Sequence, residues 1–105
     1  MTAQVAADLR AAAEVLRRDG WCQSRSHAST GEHCAAGAIE AAVDPNWQTS
    51  SGWEAEQNVR FGAALNAVQR RIDLVLTGWN DAPGRTADEV IAALEAAADA
   101  AQAES

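Results

Sequence analysis

Apolar residues recur at helical spacing along most of the chain. Val5, Leu9, Ala12 and Leu16 mark one stripe, widened by Ala13 and Val15, and predict a helix over Ala3 to Arg18 with Thr2 as its cap. Asp19-Gly20 ends it, because glycine can take the left-handed conformation that closes a helix. The polar stretch Trp21 to Gly31 then predicts a loop. A second, shorter helix is expected over Glu32 to Val43, with Cys34, Ala38, Ala41 and Ala42 on one face and Ile39 and Val43 beside it. Gly37 lies in its interior, which is best explained by another backbone lying close against it. Asp44-Pro45 stops that helix, since proline disfavours the α conformation in the residue before it.

A linker holding Trp47 and Thr49-Ser50-Ser51-Gly52 leads to a third helix, from near Trp53 at least to Arg71. Leu65, Val68, Ile72, Val75 and Trp79 could extend this stripe as one helix to Thr77. The competing reading breaks the helix near Arg71 and makes Ile72 to Leu76 a short buried extended or 3₁₀ segment; periodicity does not decide between them. Pro83-Gly84 suits the centre of a type II turn. Thr86-Ala87-Asp88-Glu89 forms a capping box for a last helix over Ala87 to Ala103, whose inner face carries Val90, Ile91, Leu94, Ala97, Ala98 and Ala101. The pattern therefore predicts an all-α, compact single domain, residues 1–105, of about four helices.

Composition sharpens this. Of the apolar residues, 26 are alanine and only 21 are Val, Leu, Ile, Phe or Trp. Alanine favours helix and lets helix axes approach closely. Eight arginines and no lysine stand against fifteen acidic residues, for a net charge of −7. That charge repels phosphate backbones and disfavours nucleic-acid binding. No apolar run approaches the length of a membrane span, and the start lacks the basic and apolar regions of a signal peptide, so a cytoplasmic protein is expected. In a reducing compartment Cys22 and Cys34 are expected as free thiols, with a disulfide between them the alternative if the protein meets an oxidising environment.

Cys22, His27, His33 and Cys34 are four potential metal ligands in one stretch. Their spacing does not match the paired knuckles of a zinc site, so no metal and no cofactor is expected. A cysteine–histidine nucleophile would need a third, orienting residue that the sequence does not reveal. Asn80, Asp81 and Arg85 could line a ligand or partner site, or could brace the turn around Trp79. Trp47 and Trp53 flank the polar linker and are candidate partner-binding anchors, or lids over an alanine-rich core.

Trp79-Asn80-Asp81-Ala82-Pro83-Gly84-Arg85-Thr86, followed by Glu89-Val90, resembles the C-terminal signature of a small actinobacterial and actinophage family catalogued as a domain of unknown function. Gly20-Trp21-Cys22-Gln23 and Cys34-Ala35-Ala36-Gly37-Ala38-Ile39 resemble its N-terminal half, a Gly-Trp-x-Gln element before a Cys-x-x-Gly-Ala helix. The resemblance runs from about Leu9 to Ala101, departs most between Val43 and Trp53, and implies a compact helical domain without implying an activity.

These features favour a non-catalytic interaction protein, a phage-encoded or accessory modulator of a host protein, with a protein partner or a second copy of itself. The alternative is a small-ligand or metal-binding module built from the Trp21–Cys34 loop and the Trp79–Arg85 turn. A cysteine-dependent enzyme is the weaker alternative.

Overall fold

The computed structural model describes residues 2–104. Helix α1 spans Thr2–Asp19, α2 Ala35–Val43, α3 Ala55–Ile72, α4 Leu76–Asn80 and α5 Ala87–Ala103. The architecture is all-α, as expected; among the described residues there are five helices, of which α4 is a five-residue piece. α1 is the central helix: it packs most extensively on α5, then on α2, and also touches α3. One cluster of buried residues joins them, with Leu9, Ile39, Leu76, Leu94, Val68 and Val90 fully enclosed and alanines filling the gaps.

Helix ends follow local chemistry. α1 already includes Thr2, so this threonine is helical rather than the cap expected of it, and the preceding residue lies outside the described ones. α2 starts later than its sequence pattern suggested. Residues 32–34 are extended, and Cys34 is the N-cap, its sulfur accepting from the Gly37 N–H at 3.3 Å. Its C-cap Asp44 is extended, as a residue before proline prefers. α3 opens on a capping box of Glu54 and Gln57. α5 opens on the expected box of Thr86 and Glu89, after a turn in which Gly84 has φ +82° and the Arg85 N–H reaches the Ala82 carbonyl at 3.1 Å.

The stripe at 65–79 breaks. Ile72 is the last residue of α3, and Asp73 caps it in the left-handed conformation, φ 56°. The chain restarts at Leu76, whose N–H donates to the Gln69 side chain at 2.9 Å. Leu76, not Val75, is therefore the buried anchor, while Leu74 and Val75 face solvent. Asp8 of α1 is nearly fully buried and takes a forked pair of hydrogen bonds from Arg60 of α3, at 2.7 and 3.2 Å, plus one from Gln4 at 3.0 Å. This ion pair ties α3 to the central helix.

Leu94 sits at the centre of the α5 face with no exposed surface. Leu94→Ala is expected to cost about 2–5 kcal/mol, the range for emptying a leucine site in a packed core. Chemical denaturation of the two proteins measures it, and a cost under about 0.5 kcal/mol, the size of a surface change, would contradict this packing.

Candidate functional site

The two segments that the alternative module combined lie together in the structure. The loop between α1 and α2 lies against the turn between α4 and α5, and Asn80 joins them. Its side chain is fully buried. Oδ1 accepts from Trp21 Nε1 at 2.6 Å and from the Ala35 N–H at 2.9 Å; Nδ2 donates to the Cys22 carbonyl at 3.1 Å and to Asp81 Oδ1 at 3.0 Å. Gln23 Nε2 donates to the carbonyls of Asn80 and Ala82, at 3.1 and 3.0 Å. The Ser24 N–H, at a left-handed residue of φ 73°, donates to Asp81 Oδ1 at 2.8 Å. Arg85 turns back over its own corner: its guanidinium lies 4.0 Å above the Trp79 ring, and Nε donates to the Trp79 carbonyl at 3.0 Å. Asn80, Asp81 and Arg85 thus all have partners inside the fold.

The backbone N–H of Ser24, and then the Asn80 amide, hold the Asp81 carboxyl below the usual carboxylate range. A lowered folded-state pKa contributes stability that is complete above the unfolded aspartate value, about 3.9, and is lost as pH falls through the folded one. Asp81→Asn removes that contribution. The variant should lose less stability than the parent on acidification from about pH 4 downward, near and below the unfolded carboxylate value. Denaturation curves across that range check this, and parallel pH profiles would contradict it.

The histidines come together elsewhere in the same loop. His27 Nδ1 and His33 Nδ1 are 2.7 Å apart, so one ring donates and the other accepts. His33 Nε2 bonds Asp19 Oδ2 at 2.8 Å, and His27 Nε2 bonds Glu40 Oε1. The result is a chain Asp19–His33–His27–Glu40 from the end of α1 to the middle of α2. Arg18 first, and the His33 hydrogen bond second, push the Asp19 carboxyl well below its ordinary range. The ring centroids are 5.0 Å apart, close to the N···N distance plus the two ring radii, so the two nitrogens point straight at each other. They do not converge on a third point as metal ligands do. Among the described residues no three His, Cys, Asp or Glu side chains form a group that could hold a metal ion.

The cysteines lie in neighbouring segments, linked by the Cys22 N–H to the His33 carbonyl at 3.0 Å, and both are free thiols. Burial, with the nearby Cys34 and Glu32 adding to it, raises the Cys22 thiol pKa and so disfavours a thiolate nucleophile. The Cys34 sulfur is buried and occupied as the α2 cap.

Trp47 and Trp53 are half-buried and lie apart from the Asn80 turn. Trp47 stacks flat on His27, centroids 3.6 Å apart and planes 12° apart. Trp53 packs on Phe61 and donates Nε1–H to Asp44 Oδ2 at 3.1 Å. Both indoles line a cavity of about 340 Å³ together with Glu40. A second cavity, about 540 Å³, is also lined by Trp47, beside Asp19 and His33. Sequence reasoning missed Asp19 and Glu40 as the histidines' partners, and no local signal marks them: each reads as an ordinary helical carboxylate until the loop folds over.

Residues 1–100 match the family of unknown function DUF6197. The chain belongs to that family. Its Trp-Asn-Asp turn and Gly-Trp-Cys-Gln loop are the two segments that Asn80 and Gln23 hold together in this member. No curated protein and no solved structure shows significant similarity to the chain. Among the described residues no helix is long and apolar enough to cross a membrane.

Proposed function

We propose that this member of the family is a non-catalytic interaction protein that docks an acidic, apolar-faced helical segment of a partner in the groove between α3 and α5. One observation carries the reading. Five of the eight arginines are engaged with carboxylates, whereas Arg25, Arg70 and Arg71 have no such partner among the described residues, and only the last two are neighbours on one helix. Both line a groove of about 500 Å³ floored by Ala63, Ala67, Ala97 and Ala101, in which Glu104 is the lining carboxylate. Just beyond, Leu74 and Val75 are more than half exposed.

A small-residue floor lets a helix approach closely, and an apolar surface rimmed by charge is a helix-in-groove arrangement. Arg70 and Arg71 offer local positive charge to an acidic segment at close range, against the longer-range repulsion of a chain of net charge −7. The raised Cys22 thiol and the occupied Cys34 sulfur support a non-catalytic role. On this reading the protein works in the cytoplasm as a phage-encoded or accessory modulator of a host protein, in keeping with its resemblance to actinobacterial and actinophage proteins.

A photo-crosslinker placed in the groove, in cells of an actinobacterial host, tests it. The expected product joins one protein through an acidic helical segment, and the product disappears in Arg70→Glu/Arg71→Glu and in Leu74→Ser/Val75→Ser. These positions are exposed, so stability should change little. Crosslinking that persists in both variants would overturn the reading. Sedimentation identifies a second copy as the occupant if the parent is dimeric and the variants are monomeric.

A further inference from the structure

We propose that Trp47, Trp53 and Glu40 form an aromatic–carboxylate cage for a quaternary alkylammonium group. The inference stands apart from the α3–α5 groove and uses different residues. The cage is the cavity of about 340 Å³ between α2 and the 44–54 linker, also lined by Ser50 and Asn58. Its volume lies at the lower end of ligand-binding pockets, which suits a small headgroup.

Each wall is fixed from behind. Trp47 stacks flat on His27, and its indole lines the cavity beside Glu40. Trp53 packs on Phe61 at a tilt of 56° and is anchored through Nε1 to Asp44, so each indole packs against another ring. Glu40 gives Oε1 to His27, and its second oxygen has no partner among the described residues. His27 is therefore the positioning residue. It holds the Trp47 plane and the Glu40 carboxylate together, and it is itself held by His33, which Asp19 anchors.

A cation is what such walls recognise. The indole face carries negative electrostatic potential and attracts a positive charge, most strongly where water is partly excluded. The carboxylate adds negative charge, part of it already engaged by His27, and the net charge of −7 raises the local concentration of cations. Methyl groups on the nitrogen suit the two indoles, which take a cation without accepting hydrogen bonds. The same chemistry occurs in a free choline-type headgroup and in a trimethylated lysine side chain.

The test titrates the full chain with choline, with a trimethyl-lysine peptide, and with 3,3-dimethylbutanol, the uncharged isostere of choline. Binding is read from the indole N–H resonances of Trp47 and Trp53 and by calorimetry. At least one cationic probe should shift both resonances and bind at least tenfold more tightly than the isostere. Choline alone binding assigns a free headgroup, the peptide alone a modified protein tail, and both support the cage. Glu40→Gln keeps an acceptor for His27 but removes the charge, and should weaken binding about tenfold with the melting temperature retained. Trp47→Leu should weaken it at least as much; if that variant is destabilised, Glu40→Gln decides. Equal affinity for the isostere, unshifted indole resonances at millimolar cation, or full binding by Glu40→Gln would each overturn the proposal.

Discussion

Asn80→Ala is expected to be among the most destabilising single substitutions in this protein. Asn80 has no exposed surface, and all four hydrogen-bonding positions of its amide are filled. Alanine would leave the Trp21 indole N–H, the Ala35 N–H and the Cys22 carbonyl facing an apolar hole. Each buried polar group left without a partner costs about 1–3 kcal/mol. The Ala35 N–H sits in the first turn of α2 and the Cys22 carbonyl in the loop, so the loss falls on two elements at once. The total is expected at about 3–5 kcal/mol, near the top of the range for point substitutions. Asn80→Asp sharpens the test. It keeps an oxygen for Trp21 and Ala35 but turns the donor that serves Cys22 and Asp81 into a second acceptor beside a carboxylate. It should therefore also be strongly destabilised, most of all at neutral pH where both acids are charged. Urea denaturation followed by far-UV circular dichroism measures both variants. A cost below about 1 kcal/mol for Asn80→Ala, no more than a single ordinary hydrogen bond, would mean the amide does not join loop and turn.

The sequence made the helices visible wherever an apolar stripe and a cap agreed. α5 starts and ends where its pattern placed it, with only Ile91 less buried than expected, because Thr86 and Glu89 fix its start and a strong stripe runs on without a breaker. Residues 65–79 show the failure. Ile72 and Val75 share a helical spacing, yet Asp73 takes the left-handed conformation and the register shifts by one, so Leu76 is buried and Val75 exposed. Asp tolerates that conformation better than most residues, but it is also a common helical residue, so the break has no unambiguous local mark. The late start of α2 has a different cause. Glu32 to Cys34 carry no helix breaker, but Trp21 and His27 pair with His33 from across the loop and draw it into an extended path. Such pairing depends on partners six and twelve residues away.

The candidate chemistry was legible as a set of residues and not as a network. Asn80, Asp81 and Arg85 stand together in sequence, and they stay together in space. What the chain could not reveal is that Trp21, Gln23 and Ser24 supply their partners. His27 and His33 were visible as possible ligands, but the sequence does not show that a carboxylate from each flanking helix takes their outer nitrogens. Trp47 and Trp53 were visible as aromatics in a polar linker. The cavity they share with Glu40 exists only because α2 presents that residue on the side the linker crosses. In each case the missing half lies on another element, so helical periodicity has nothing to say about it.

Gly37→Ala should act in the opposite direction to Gly62→Ala, although both replace a glycine inside a helix. In α3 nothing lies within 4 Å of a methyl group added at Gly62, so alanine should stabilise by about 0.5–1 kcal/mol through helix propensity alone. In α2 a methyl group at Gly37 would sit 2.0 Å from the Ser26 carbonyl oxygen and 2.8 Å from its carbon. Both atoms are backbone, and that oxygen is held in place by the Cys34 N–H at 3.0 Å. Relief therefore requires the loop to move away from the start of α2. Moving Ser26 breaks the bond to Cys34 and pulls on His27, the next residue, which is fixed between His33, Glu40 and Trp47. Overpacking costs about 1–3 kcal/mol where side chains can adjust, and this contact with main chain should reach or exceed the upper end, well beyond the propensity gain. The Trp47 indole resonance should shift in Gly37→Ala and stay put in Gly62→Ala, because only the former displaces the ring stacked on it. Equal stabilities for the two variants, or an unshifted Trp47 with Gly37→Ala folded, would show that the loop does not press on α2 as described.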